Sequence, residues 1–267
     1  MNTWLNLKDK IIIVTGGASG IGLAIVDELL AQGANAQMSD IHGGDKYQNR
    51  DNYNFWPTDI SSASEVNKTV ESIIQRFGRI DGLVNNAGVN FPRLLVDEKA
   101  PSGRYELNEA AFEKMVNINQ KGVFLMSQAV ARQMVKQRSG VIVNVSSESG
   151  LEGSEGQSCY AATKAALNSF TRSWSKELGK HGIRVVGVAP GILEKTGLRT
   201  QEYEEALAWT RNITVEQLRE GYSKNAIPVG RSGRLSEVAD FVCYLLSERA
   251  SYITGVTTNI AGGKTRG

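Results

Sequence analysis

The sequence predicts an α/β fold: a single doubly wound parallel β-sheet with helices on both faces. Two observations carry this. Short apolar runs alternate with longer amphipathic segments along nearly the whole chain, and strand–helix–strand alternation implies a parallel sheet. The runs are also continuous rather than alternating, as in "KIIIVT" at 10–15, which suits strands covered on both faces. No repeat, low-complexity tract or linker divides the chain, so 1–267 reads as one domain.

The elements follow in order. "KIIIVT" is the first strand and "GIGLAIVDELLAQG" the first helix, ending at Gly33. "ANAQMSD" and "YNFWPTD" are the second and third strands, with Pro57 near the end of the third. Ser62 and Glu65 have the spacing of a capping box, opening a helix to about Phe77. "DGLVNNAG" is a fourth strand running into a turn. "GVIVNVSS" (140–147) and "GIRVVGVAPG" (182–191) are the fifth and sixth, with a helix around Tyr160 between them. "LSEVADFVCYLLSE" reads as a helix capped at Ser236, and "TGVTTNIAGG" as the last strand. Two segments, about 90–109 and 192–233, depart from the alternation and follow strands four and six. Ligands bind at the carboxyl ends of strands in such sheets, so these elaborations are either substrate walls and lids or surface decoration.

Bulk properties narrow the function. The chain is 41% hydrophobic and 22% charged with a formal net charge of +2. That balance does not point to nucleic acid or an anionic membrane as a partner. No apolar run approaches the length of a bilayer span, and "MNTWLNLKDK" carries no signal-peptide pattern. The expectation is a cytoplasmic protein whose two cysteines, Cys159 and Cys243, are reduced. Neither these nor His42 and His181 have metal-ligand spacing, so no metal is expected.

Three features carry chemistry. "TGGASGIG" (15–22) lies between the first strand and first helix. Gly16, Gly20 and Gly22 allow a sharp turn, close approach to a pyrophosphate and tight helix–sheet packing, and the helix N-terminus favours the anion. Asp40 ends the second strand, eighteen residues after Gly22. A carboxylate there accepts hydrogen bonds from a ribose and repels a 2′-phosphate, at about 4 kcal/mol per charge pair at 4 Å and an effective dielectric near 20. No Lys or Arg stands at Ser19 or Ile41 to offset it. Finally, "SCYAATKAAL" places Tyr160 and Lys164 one helical turn apart.

In combination these resemble the short-chain dehydrogenase/reductase family, over nearly the whole chain. The family pattern TGxxxGxG, NNAG, Ser, YxxxK and PG is matched by Thr15–Gly22, Asn85–Gly88, Ser147, Tyr160 with Lys164, and Pro190–Gly191. In the family the active serine usually lies thirteen residues before the tyrosine, and the resemblance thus implies Ser147 rather than Ser146. The resemblance implies a Rossmann-type fold, NAD as cofactor, and four catalytic residues: Asn119, Ser147, Tyr160 and Lys164. Tyr160 would be the general acid/base. Lys164 would bond the nicotinamide ribose and lower the phenol's pKa; a three-unit shift needs about 4 kcal/mol. Ser147 would hydrogen-bond the reacting oxygen, and Asn119 would hold a relay water. The implied cofactor contacts are Gly16, Ser19, Gly20, Ile21 and Gly22, then Asp40, Asp59 and Ile60. Asn86, Ala87, Gly88, Tyr160, Lys164, Pro190, Gly191 and Ile192 complete them. Lys195 stands where many members carry threonine, with Thr196 one residue later.

Within the family, the stretches "NNAGVNFPRLLVDEKAPSGRYELNE" and "APGILEKTGLRTQEYEEALAWTR" are most similar to bacterial dehydrogenases of polyol phosphates. This implies a sugar phosphate or polyol phosphate as substrate. Arg93, Lys195 and Arg199 are then candidates for the phosphate, Arg104 a weaker one, with the tail residues Lys264 and Arg266 behind them. The residues alone reach only a polar secondary alcohol or ketone. Other polyol or sugar dehydrogenases, a 3-oxoacyl carrier-protein reductase and a non-catalytic dinucleotide sensor stay open. Asp40 argues against the reductase, and the presence of Ser147, Tyr160 and Lys164 against the sensor. The resemblance also implies a homo-oligomer, commonly a tetramer.

Overall fold

The computed structural model describes residues 4–43, 45–47, 49–222 and 227–265. Its seven strands are β1 (Ile11–Thr15), β2 (Asn35–Asp40), β3 (Tyr53–Pro57), β4 (Gly82–Asn85), β5 (Gly140–Val145), β6 (Ile183–Pro190) and β7 (Thr257–Ile260). They form one parallel sheet in the order β3-β2-β1-β4-β5-β6-β7. The order reverses between β1 and β4, and a ligand crevice belongs outside the carboxyl ends of strands at such a switch point.

The continuous apolar runs divide between two cores, because successive side chains of a strand point to opposite faces. Ile12 and Val14 join the cluster under α1 (Gly20–Ala31) and α9 (Leu235–Leu246), whereas Ile11 and Ile13 join the one under α2 (Ala63–Phe77) and α4 (Val123–Gln137). Val143 and Val145 of β5 go with the first cluster and Ile142 with the second. The remaining helices are α3 (Glu109–Val116), α5 (Ser149–Glu152), α6 (Ser158–Leu178), α7 (Gln201–Thr210) and α8 (Val215–Glu220).

Three details differ from expectation. The Ser62 side chain accepts from Glu65 N at 3.4 Å, but Glu65 Oε2 turns to Asp59 N at 2.9 Å, so the box is only half formed. Helix α9 is capped two residues early, with Arg234 as its N-cap and Ser236 inside the first turn. Glu237 Oε2 accepts from Arg234 N at 2.7 Å and its carboxylate pairs with Arg231, which anchors that start without a serine. The third is the unforeseen helical stretch from α3 to α4, joined by a π-helical segment, Asn117–Gly122. The wider π turn adds a residue per turn and slips the apolar period out of phase.

A buried polar ladder ties the strand ends to the helices. Asn85 Nδ2 donates to Ser127 Oγ and to Asn144 Oδ1, both at 2.9 Å, and Asn144 Nδ2 donates to Thr171 Oγ1 at 3.0 Å. It joins β4 and β5 to α4 and α6, just below Asn86 and Ser147. Replacing Asn144 with leucine leaves one N–H of the buried Asn85 amide without its acceptor, at a cost of about 1–3 kcal/mol per unsatisfied group. Asn144→Leu should therefore lower the urea midpoint with an unchanged m-value; a midpoint equal to wild type would show the ladder to be dispensable.

Candidate active site

A cleft of about 930 Å³ opens at the carboxyl ends of β1, β2, β4, β5 and β6, at the top of the range for small-molecule sites (about 300–1,000 Å³). That is room for a dinucleotide and a small substrate together. The β1–α1 turn forms one wall. Gly16 has φ +64°, and a Cβ there would lie 2.7 Å from Ala87 Cα. Gly20, with φ +54°, is open except for Thr196, whose Cβ would sit 3.4 Å away. Ser19, Ile21 and both glycines line the cleft. Gly22 does not: a Cβ there would strike the Gly16 carbonyl oxygen at 2.1 Å, so this glycine is required by packing within the turn. Ser19, the N-cap of α1, makes no side-chain cap, which leaves its hydroxyl for an anion at the helix N-terminus.

Asp40 lines the β2 side. Its Oδ2 accepts from Ala18 N at 3.0 Å and its Oδ1 from Ile41 N at 2.8 Å, so the carboxylate is fixed against the glycine turn. Beside it, the Ser39 hydroxyl lines the cleft, buried and without a protein partner. Asp59 and Ile60 follow β3 on the same wall, with Asp59 Oδ1 accepting from Ser61 N at 2.9 Å. Asn86 staples β4 to β1: its Nδ2 donates to the carbonyls of Thr15 and Gly16, both at 3.0 Å. Asn86, Ala87 and Gly88 line the cleft, as do Pro190, Gly191 and Ile192 beyond β6. A glycine turn with an open cradle, an orphaned hydroxyl and a fixed acid at the ribose position fit a dinucleotide with an unphosphorylated 2′-hydroxyl.

Ser147, Tyr160 and Lys164 meet on the floor. The two serines divide their work. Ser146 Oγ donates to the Lys164 carbonyl at 2.9 Å, while Ser147 accepts from Ser149 N at 3.2 Å and hydrogen-bonds Tyr160. Lys164 is 4% exposed, donates to the Val145 carbonyl at 2.8 Å and lies 5.7 Å from the centre of the Tyr160 ring. Burial depresses its pKa to about 8. The phenol moves opposite to the expected direction. Burial pushes Tyr160 up, Ser147's hydrogen bond opposes this, and Glu148's charge reinforces it. The ammonium sits over the ring face with a carbonyl partner, which explains why burial prevails.

Asn119 does not line the cleft among the described residues. It is fully buried in the π segment, with Nδ2 donating to Val89 O and Oδ1 accepting from Val89 N, both at 2.8 Å. A Cβ on Gly88 would lie 3.2 Å from Asn119 Oδ1 and 3.5 Å from Lys164 Nζ, so the three residues converge. Glu148 is a residue that sequence reasoning missed. Its carboxylate takes Lys264 Nζ at 2.9 Å and Thr265 Oγ1 at 2.6 Å, tying the C-terminal tail beside the serine.

The two elaborations differ in kind. The second supplies cleft wall from Ile192 to Tyr222, including Thr196 and Tyr203. The first mainly braces it: Trp209 Nε1 donates to the buried Asp97 at 2.8 Å, and Arg104 pairs with Glu202 at 2.7 Å. Of the phosphate candidates, Arg93 lies outside the cleft lining, with its guanidinium 5.6 Å from the Tyr105 ring. Lys195 is exposed and also outside it. Its neighbours Glu194 and Thr196 line the cleft, and it is Thr196 that lies over Gly20. Arg199 lines the cleft but is paired with the buried Glu204 at 2.9 Å. Arg266 falls outside the described residues.

A sheet with a dinucleotide-shaped cleft and a Ser–Tyr–Lys floor defines a class of oxidoreductase. The chain belongs to the short chain dehydrogenase family, whose profile matches residues 10–207. It is 89% identical, over all 267 residues of both chains, to a sorbitol-6-phosphate 2-dehydrogenase of Klebsiella pneumoniae. It is 35% identical to a 3-oxoacyl-[acyl-carrier-protein] reductase of Thermotoga maritima, covering 97% of this chain and 99% of that one. Among solved structures, a 3-ketoacyl-(acyl-carrier-protein) reductase of Brucella melitensis complexed with NADH superposes with TM-score 0.80. That match is 26% identical and covers 97% of this chain and 100% of the other.

The buried lysine has a signature in stability. Its folded pKa, about 8, lies below the ordinary 10.5, so the unfolded chain binds more protons between those values and stability rises with pH across that window. The burial penalty is fully present below about pH 8 and relieved by pH 10.5, a span worth about 3 kcal/mol. Lys164→Met should flatten this rise relative to wild type in urea titrations at pH 7.5, 9 and 10. Parallel wild-type and mutant curves would contradict the depressed pKa.

Proposed function

We propose that this chain is an NAD-dependent sorbitol-6-phosphate 2-dehydrogenase, interconverting D-sorbitol 6-phosphate and D-fructose 6-phosphate, with 1–267 acting as one catalytic domain. The observation that carries this is the full-length 89% identity to an enzyme of that name, joined to the Ser147–Tyr160–Lys164 floor. The nicotinamide, when bound, takes up or gives the hydride. In oxidation Tyr160, as phenolate, takes the proton of the C2 hydroxyl while Ser147 hydrogen-bonds the same oxygen. In reduction the phenol returns that proton to the ketone oxygen. Lys164 would hold the nicotinamide ribose and, with Asn119, pass protons between Tyr160 and solvent. With the Asn119 side chain engaged by Val89 and Thr163, its main chain in the π segment is the part left for a relay water. Asp40 would bind the adenosine ribose. A 3-oxoacyl carrier-protein reductase fits less well, since Asp40 opposes a 2′-phosphate. A homotetramer in the cytoplasm belongs to the same reading. The exposed Phe112, on α3 against α6, and the exposed Phe124 of α4 support an interface, and among the described residues no helix is long and apolar enough to cross a membrane.

Tyr160→Phe keeps the ring and removes the proton carrier, so kcat should fall by about 10²–10⁴-fold with NAD binding retained; near-normal turnover by a folded mutant would exclude Tyr160 as the acid/base. The raised phenol sets a pH dependence. Sorbitol 6-phosphate oxidation should climb on the alkaline side of neutrality, where phenolate forms, while fructose 6-phosphate reduction holds near neutrality and declines at alkaline pH. Oxidation that is flat from pH 7 to 10 would contradict this. Wild-type kcat/KM should strongly favour NAD over NADP and Asp40→Ala should narrow the gap. Equal use of both cofactors by the wild type would overturn the assignment of Asp40.

A further inference from the structure

A sugar phosphate reacting at carbon two carries its dianion four carbons away from Tyr160, so something along the cleft must receive it. The cleft is lined by five cations among the described residues: Lys114, Lys164, Arg199, Arg211 and Lys264. Lys164 is buried on the Val145 carbonyl. Arg199 is held by Glu204 and stacks on Tyr222 at 4.2 Å. Lys264 is paired with Glu148 at 2.9 Å and reaches Glu152 at 3.7 Å. Lys114 is exposed on α3, 5.4 Å from the centre of the Phe91 ring. Arg211 alone among these is half-buried and free of any carboxylate: its NH2 donates to the Ser154 hydroxyl at 3.1 Å, a neutral partner.

The surroundings of Arg211 are built rather than incidental. It caps α7, with its amide N donating to the carbonyls of Leu207 and Ala208, both at 3.2 Å. The loop carrying Ser154 packs directly on the end of that helix, since a Cβ on Gly156 would lie 2.1 Å from Thr210 Oγ1. Ser154 Oγ donates to Gln157 Oε1 at 2.7 Å, and Gln157 Nε2 donates to Tyr203 OH at 2.8 Å. Tyr203 and Tyr160 line the same cleft. A line of polar groups thus runs from the reacting end of the cleft to the guanidinium, along Tyr203, Gln157 and Ser154, all cleft-lining. A polyol chain presents hydroxyls along just such a line, with its phosphate at the end.

We propose that Arg211 is the phosphate-recognition residue of this cleft, with the Ser154 hydroxyl beside it, in place of the cations the sequence suggested. A guanidinium presents a planar fork that meets two phosphate oxygens at once, and one without a carboxylate loses no partner in doing so. The inference rests on the sugar-phosphate reading above.

The test compares kcat/KM for D-sorbitol 6-phosphate and unphosphorylated D-sorbitol in wild type, Arg211→Gln, Arg211→Lys and Lys114→Gln, with NADH binding as the check on folding. Arg211→Gln should lower the phosphorylated-to-unphosphorylated ratio by about 10²-fold, with Arg211→Lys recovering part of it and Lys114→Gln leaving it near wild type. Inorganic phosphate should compete with sorbitol 6-phosphate in wild type and more weakly in Arg211→Gln. Equal losses on both substrates, no loss, or the split appearing in Lys114→Gln instead would overturn the role of Arg211 alone. Wild-type enzyme with no preference for the phosphorylated substrate would overturn the sugar-phosphate reading itself, and this one with it.

Discussion

The pairing of α6 with the end of β5 is the constraint on which the site depends. Lys164 Nζ donates to the Val145 carbonyl, and Ser146 Oγ donates back to the Lys164 carbonyl. The two bonds run in opposite directions between adjacent residues of one strand end and one residue of the helix, which leaves little freedom of register. Gly150 closes the contact: a Cβ there would lie 2.7 Å from the Lys164 carbonyl carbon. With that register set, Ser147 faces Tyr160 one helical turn earlier. The cost is a cation 4% exposed, and a buried charge without a carboxylate is unfavourable. Its depressed pKa reports that cost. This buried cation thus draws on stability supplied elsewhere, by the two apolar cores and by the Asn85–Asn144–Thr171 ladder beneath the same strand ends.

The fold was legible because its code is local. Continuous runs such as "IIIV" mark strands covered on both faces, and the division of Ile11 and Ile13 from Ile12 and Val14 between two cores is what those runs encode. The glycine turn and Asp40 were legible from their places at strand ends, whereas Ser147, Tyr160 and Lys164 were picked out as a set only through the family resemblance. What spacing does not carry is which way a loop side chain faces. Lys195 and Thr196 are neighbours in sequence, yet Thr196 covers Gly20 while Lys195 is exposed. Nor does it carry long-range pairing. The links from Glu148 to Lys264 and Thr265 span more than a hundred residues, and they tie Lys264 and Thr265 down next to Ser147. The α3–α4 helix was hidden for another reason: its π segment breaks the very period by which helices are read.

Charge in the cleft follows the same logic of pairing. Glu204 is 3% exposed and receives both Arg199 and Arg219, at 2.9 and 2.7 Å. Drawing Arg199 away to meet a substrate would leave a buried carboxylate with one partner, and stripping a buried ion pair is expensive. Such pairs hold walls in place and are poor candidates for binding groups, however well their sequence position suits the task. An arginine with only a hydroxyl for company is the opposite case.

The outcome is a cleft whose two sides treat anions differently. On the β2 side, Asp40 is fixed by the Ala18 and Ile41 amides and turned toward the ribose position. On the β6 side, Arg211 ends a polar line leading from Tyr160. The same Coulomb term, about 4 kcal/mol per pair at 4 Å and an effective dielectric near 20, opposes a phosphate at the first place and favours one at the second. On the proposed assignments a phosphate would be sorted by position: refused on the cofactor, accepted on the substrate. A dehydrogenase of phosphorylated sugars that draws on NAD needs both signs, and it needs them far enough apart that neither cancels the other. Separation across the sheet by β1, β4 and β5 supplies that distance, which is a property of strand order rather than of any one residue.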